Sequence, residues 1–293
     1  MSQSALRMLP KAASTSYPRA SGLKPFLLHT ELEFKDFWRS IIQLAFIVFM
    51  PVMFYVGFGF VFRDQAQQIR SVGELTITQG NYSYAGVLTF ALLSVVLANV
   101  AISLAIKRHH GLFKRFRTTP VTPAAVMGAF LANALVTLAI VFGVISAIGV
   151  IWLGVDVAAQ RLPMLFAAAL IGFVAIAPLG TALSLVPPNA DAAVPIVNGV
   201  FFPLAFLSGA FFAMPFPEPI QAIINILPGK PLMDLFTAAT ASTGPTWNTE
   251  AMMILLAWGL AGAVATAKWF KWASEREPRG FSHRKSAKDD HSD

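Results

Sequence analysis

The imidazoles available for a metal ion or a proton relay are His29, His109, His110, His283 and His291. No two stand in His-x-x-x-His spacing, and no glutamate precedes one in Glu-x-x-His spacing, so the helical metal motifs are absent. His109 and His110 are adjacent and would point about 100° apart on a helix, which makes them poor joint ligands. A phosphate-cradling loop needs spaced glycines ending in Gly-Lys-Ser/Thr. The Gly229-Lys230 pair is followed by Pro231, and Ile224 stands where the first glycine belongs. The chain has no cysteine, which excludes disulfides, thiolate metal sites and a cysteine nucleophile while leaving the compartment open. These residues predict no catalytic, cofactor or metal site.

What the chain offers instead is apolar length. Of its 293 residues 56% are hydrophobic and 13% charged, with a mean hydropathy of +0.63, more apolar than a soluble core requires. Six runs, at about 41–62, 84–106, 124–153, 164–186, 192–214 and 251–270, approach or exceed the roughly 20 residues a membrane-crossing helix needs. In lipid each backbone N–H and C=O must be satisfied within the protein, and runs of this length do so as helices. The expected fold is all-α: a polytopic bundle of six spans.

Basic residues set the expected orientation. Eighteen of the 22 Lys and Arg precede the first run, join the second to the third, or lie at and beyond the end of the last, from Lys268 on. The other four are Arg63, Arg70, Arg161 and Lys230, in the alternate connections. This bias places both termini in the cytoplasm of a cell inner membrane. The net charge of +7 sits beside span ends, where anionic lipid and membrane insertion account for it, so nucleic acid is not an expected partner. Residues Met1 to Lys24 lack the apolar centre of a cleavable signal, and the first span is expected to act as an uncleaved anchor.

Three segments outside the spans carry patterns. Leu27, Phe34, Phe37, Trp38 and Ile41 fall within about a 100° arc, predicting an amphipathic helix along the inner membrane surface or a cytoplasmic extension of the first span. In Gly111-Leu112-Phe113-Lys114-Arg115-Phe116-Arg117, the residues Leu112, Phe113 and Phe116 take one side of a short helix and Lys114, Arg115 and Arg117 the other. That separation favours a docking helix over a solvated basic loop. Between Pro215 and Glu250, prolines break an apolar stretch into two short helices, a hairpin that would dip into the outer leaflet or cap the bundle. Residues 1–24 and 273–293 are expected to be disordered tails around a domain of 25–272.

Within the spans, Pro51, Pro178, Pro195 and Pro203 are expected to kink their helices. Gln43, Asn99, Asn133 and Asn198 are polar at membrane depth, serving either as interhelical hydrogen-bond partners or as the lining of a path. No acid, histidine or lysine lies well inside a span to carry a coupling ion, and Asp191 is near a boundary. The energy for transport would then come from a partner ATPase.

Two stretches resemble the membrane permease subunits of type 2 ABC exporters. Gly111 to Pro123 is similar to that family's cytoplasmic coupling helix, ending in Thr119-Pro120-Val121-Thr122. Asn198-Gly199-Val200-Phe201-Phe202-Pro203 through Leu207-Ser208-Gly209, followed by Ile226-Leu227-Pro228-Gly229-Lys230-Pro231-Leu232, is similar to its Leu-Ser-Gly stretch and the turn after it. His109-His110 departs from the acidic residue common before the coupling glycine, and Lys230 from the tighter Asn-Pro step. The resemblance implies a subunit without its own ATPase site that pairs with a second permease copy, as a homodimer or heterodimer. It also implies docking on an ABC ATPase subunit that binds ATP and Mg. Gly111, Leu112, Phe113, Lys114, Arg115, Phe116 and Arg117 would couple to that ATPase, and Asn99, Asn198, Phe201 and Phe202 are candidates for the substrate path. Phenylalanine- and methionine-rich spans favour an apolar or amphipathic cargo, a drug-like molecule or a lipid. A lipid-modifying membrane enzyme, or an ATP-independent channel or scaffold, are the alternative readings.

Overall fold

A computed structural model describes residues 31, 35, 41–61, 63–72, 75–111, 123–152, 155, 159–212, 216–244 and 246–270, with backbone alone for 41–47, 58, 63, 123, 124 and 159. The tails at 1–24 and 273–293 therefore lie outside the described residues, as does most of the predicted amphipathic helix, of which Glu31 and Lys35 are present as an ion pair at 2.5 Å. The elements are α1 (Ile41–Val61), β1 (Ile69–Val72), β2 (Leu75–Thr78), α2 (Gln79–His109), α3 (Pro123–Trp152), α4 (Leu162–Leu183), α5 (Ala193–Leu207), α6 (Glu218–Ile226), α7 (Gly229–Thr240) and α8 (Thr249–Trp269).

Helix α2 is the axis of the bundle, buried along most of its length. Thr78 starts it, its hydroxyl accepting from the Asn81 backbone N–H at 3.2 Å. Its middle, Leu93–Asn99, is π-helical, a widening that turns the following residues relative to a regular helix. Helix α4 crosses this stretch closely: a Cβ added to Gly180 would come within 2.6 Å of the Val96 carbonyl oxygen. Along its other side α4 receives α8, where a Cβ on Gly262 would meet the Leu179 backbone nitrogen at 2.7 Å. Between helices surrounded by lipid, which offers no hydrophobic drive for association, such small-residue approaches let van der Waals contact hold the pair. Outward-facing Ile151, Phe166, Met253 and Leu260 are exposed, so the bundle's outer surface is apolar as well.

Among the described residues four helices, α2, α3, α4 and α8, are long and apolar enough to cross a membrane. Helix α1 has 21 residues around Pro51, and α5 has 15, about 22 Å at 1.5 Å per residue. The fifth run, expected to be helical over 192–214, therefore stops early. Ser208 turns its hydroxyl back to the Ala205 carbonyl at 2.7 Å, and Gly209 adopts φ 81°, a left-handed conformation that suits glycine. Tyr82 of α2 fixes that turn by donating to the Gly209 carbonyl at 2.9 Å. Pro195 sits in the first turn of α5, where no helical donor is required, rather than kinking its interior.

The described chain is mostly helical, in keeping with the expected all-α class, and adds one short antiparallel pair, β1–β2, in register from Ile69↔Thr78 to Val72↔Leu75. Arg70 anchors it to α2, donating to Gln79 Oε1 at 2.6 Å and lying 4.6 Å from the Tyr82 ring centroid. The proline-broken stretch does form two helices, and the second is no surface cap: Leu232, Met233, Leu235 and Phe236 of α7 are buried against α2, α4 and α8. The carbonyl of Thr240, at the α7 C-terminus, accepts from Asn81 Nδ2 at 3.0 Å and from Arg161 at 3.4 Å, which satisfies a group the helix leaves unpaired.

Candidate functional site

A groove of about 680 Å³ runs between α1, α2 and α5, within the size range of small-molecule sites. Its α2 wall is a helical ladder, Ser94, Ala98, Ile102 and Ile106 at four-residue steps, with Asn99 and Ser103 beside it. The α5 wall presents Val194, Asn198, Phe201 and Phe202, again one side of a helix, and α1 contributes Met50 and Phe54. The groove opens towards the outside of the bundle, since Met50 is 43% and Phe202 41% exposed.

Aromatic rings close one end. Phe90 lies 5.1 Å from Phe54, 5.3 Å from Phe201 and 5.1 Å from Phe211 between ring centroids, distances at which edge-to-face packing is favourable. At the other end the Lys107 ammonium sits 4.9 Å from the Phe130 ring centroid, so the lysine stem lines the groove while its charge rests on an aromatic face. Asn99 Oδ1 accepts from Ser103 Oγ at 3.3 Å. An apolar body can thus be covered by rings and aliphatic side chains while amides and hydroxyls on two walls hold its few polar groups.

All four residues singled out from sequence as a path, Asn99, Asn198, Phe201 and Phe202, line this one groove. Asn133 does not: it is buried elsewhere on α3, its Oδ1 without a hydrogen-bond partner. Of the coupling segment only Gly111 is described. It takes φ 70° just beyond α2, with its N–H donating to the Arg108 carbonyl at 3.1 Å. Leu112, Phe113, Lys114, Arg115, Phe116 and Arg117 lie outside the described residues. Among the described residues no group of three His, Asp or Glu could hold a metal ion.

A second, polar cavity of about 830 Å³ lies at the opposite end of the bundle from Gly111, between β1–β2, α7 and the start of α8. Trp247, Asn248, Glu250 and the Lys230–Asp234 ion pair line it. Burial raises the Asp234 carboxyl above the ordinary range, and the charge of Lys230 opposes that rise.

The described residues thus combine apolar helices, an open side groove and a buried short helix before α8. The model of the ABC-2 type transporter matches residues 26–240. This chain belongs to that family. No curated protein matches it. The match covers α1 through α7, and so contains every residue of the groove. As an ABC-2 permease it is a multi-pass membrane component of an ABC transporter, a type of subunit that is generally not itself catalytic and typically works with an ABC ATPase.

Proposed function

We propose that this permease is the membrane subunit of an ATP-driven exporter that moves an apolar or amphipathic molecule, drug-like or lipid, out across the cell inner membrane. The observation that carries the reading is the groove itself, with Asn99, Asn198, Phe201 and Phe202 facing one space that opens sideways. A side opening suits a substrate that arrives dissolved in the bilayer. In this reading six segments cross the membrane, both termini are cytoplasmic, and a second permease copy, identical or homologous, faces the groove. ATP and Mg bind the separate ATPase subunits. Their closure moves the Gly111–Arg117 segment and the N-terminal amphipathic helix as levers, and the faces of α2 and α5 separate.

The test is reconstitution with the partner ATPase in inside-out vesicles and a fluorescent amphipath as cargo. ATP-dependent accumulation is expected. A single cysteine at Asn198, in a chain that has none of its own, should lose reactivity towards a membrane-permeant thiol reagent when cargo is bound. Accumulation without ATP, or cysteine labelling indifferent to cargo, would reject the proposal.

A further inference from the structure

Arg108 and His109, the last two residues of α2, open the basic connection to α3 and are engaged within the chain. Arg108 Nη2 donates to the Pro187 carbonyl at 2.9 Å, and Nη1 to the Leu185 carbonyl at 3.4 Å. His109 Nε2 lies 3.1 Å from the same Pro187 oxygen and 3.1 Å from Arg108 Nη2. With the proton on Nε2 the imidazole donates to Pro187, and in the other tautomer it accepts from Arg108.

The acceptors are carbonyls just past the C-terminus of α4, where the chain enters the turn to α5. Such carbonyls have no helical donor, and the helix dipole makes that end negative, so a guanidinium fits there. The planar fork reaches two oxygens at once, which an ammonium cannot reproduce. Beyond them the turn is stiff. Pro187 and Pro188 fix their φ angles, Asn189 Oδ1 accepts from the Ala192 N–H at 2.8 Å, and the Ala193 N–H donates to Ala190 at 3.2 Å. One turn later α5 presents Val194 and Asn198 to the groove.

We infer that Arg108 is a positioning residue that ties the end of α2 to the α4–α5 turn. Motion at Gly111, three residues on, is thereby delivered to α5 and to the groove wall. This rests on the permease reading above, and it adds a route from the coupling segment to the cargo. Arg108 touches no groove residue in these bonds, so its effect on cargo is indirect.

Two measurements test it on the full permease–ATPase complex. Spin labels at His110 and Asp191, both exposed and flanking the tie, report its integrity by pulsed dipolar spectroscopy. A narrow distance distribution is expected in the parent and a broad one in Arg108→Ala, with Arg108→Lys between them. The second readout is cargo moved per ATP hydrolysed. Arg108→Ala should lower it roughly tenfold, the scale on which losing a charge-assisted hydrogen bond shifts an equilibrium, with cargo affinity and basal hydrolysis retained, and Arg108→Lys should recover part of the loss. Lys268→Ala, which removes an exposed charge on α8 outside the groove and leaves the tie intact, should keep the ratio. An unchanged distance distribution in Arg108→Ala overturns the tie, and a broadened distribution with an unchanged ratio overturns its role in transmission. Absence of ATP-driven transport by the parent complex would instead reject the exporter reading, with the distance measurement still deciding the tie.

Discussion

Gly180 of α4 and Val96 of α2 meet backbone to backbone, so closely that a Cβ on the glycine would lie 2.6 Å from the Val96 carbonyl oxygen. The contact falls inside the π-helical stretch whose residues Ser94, Ala98 and Asn99 form the groove wall. A methyl group there cannot be relieved by a side-chain rotation, because its neighbour is main chain. Gly180→Ala is therefore expected to cost about 1–3 kcal/mol, as overpacking does, and to displace the groove wall. Gly199→Ala, at a position where nothing lies within 4 Å, should leave stability at or above that of the parent. Unfolding in graded SDS at constant lipid compares the two, and equal stability would contradict the close approach.

The groove predicts its own weak point. Phe201 is 4% exposed and stacks on both Phe90 and Phe202, so its ring shapes the floor on which an apolar cargo rests. Phe201→Ala removes that surface and is expected to weaken cargo binding by about 1–2 kcal/mol, roughly tenfold. Asn198→Leu should discriminate instead, weakening cargoes with a hydrogen-bonding group more than purely apolar ones. Fluorescence titration of the purified permease reads both, and no loss for either variant would move the cargo site elsewhere.

These two sites differ in how far the sequence discloses them. Asn99 and Asn198 stand out because an amide in an apolar run demands a reason. Phe54 and Phe90 do not, since phenylalanines facing lipid have the same spacing as those facing a groove. The early end of α5 was equally hidden. Ala205 to Phe212 is apolar throughout apart from Ser208 and Gly209, and the turn is held by Tyr82, which lies 127 residues earlier in the chain. The second apolar run begins near residue 84, yet the Thr78 cap makes Gln79, Gly80 and Asn81 the first turn of α2. Hydropathy thus revealed the apolar lengths. Where they bend or stop depends on hydrogen bonds between distant residues.

The ion pair on α7 carries a pH dependence. Burial raises the Asp234 carboxyl above its ordinary 3.8, with Lys230 pulling it down and Glu250 adding to the rise. The folded protein then holds the proton more tightly than the unfolded chain. This group's contribution to stability is complete below the ordinary value and is lost as pH rises through the raised one. Asp234→Asn is expected to flatten the fall in stability with rising pH across that window, and Lys230→Gln to extend the window upward. Unfolding midpoints across the acid range test the sign. A slope unaltered by Asp234→Asn would contradict it.

The proposed orientation rests on the distribution of charge, and exposed positions in the structure can report it. Single cysteines at Gln67, Gln160 and Thr243, all exposed, should react with an impermeant thiol reagent on intact cells, while those at Ser2 and Ser292 should react only after permeabilisation. Labelling of either terminus in intact cells would reverse the topology.

Docking on the ATPase is expected to depend more on the rings of the coupling segment than on its charges. Arg108 is already bonded to the Pro187 carbonyl, with His109 Nε2 beside the same oxygen, so Lys114, Arg115 and Arg117 are the charges the expected helix Leu112–Arg117 would offer a partner. On the helix expected from sequence, Leu112, Phe113 and Phe116 would share the other side, and buried aromatic anchors typically dominate interfaces. Phe116→Ala should cost on the order of 2 kcal/mol of docking, weakening complex formation roughly thirtyfold. Membrane insertion should be unaffected, because the substitution touches no span. Neutralising Lys114 and Arg117 together should have a smaller effect that fades at high salt, since exposed ion pairs contribute little and are screened. Co-purification and stimulated ATP hydrolysis, measured for both variants at two salt concentrations, separate the two contributions. Normal coupling by Phe116→Ala at parental abundance would mean that the segment is a solvated basic loop, and transmission would then have to enter the bundle by another route.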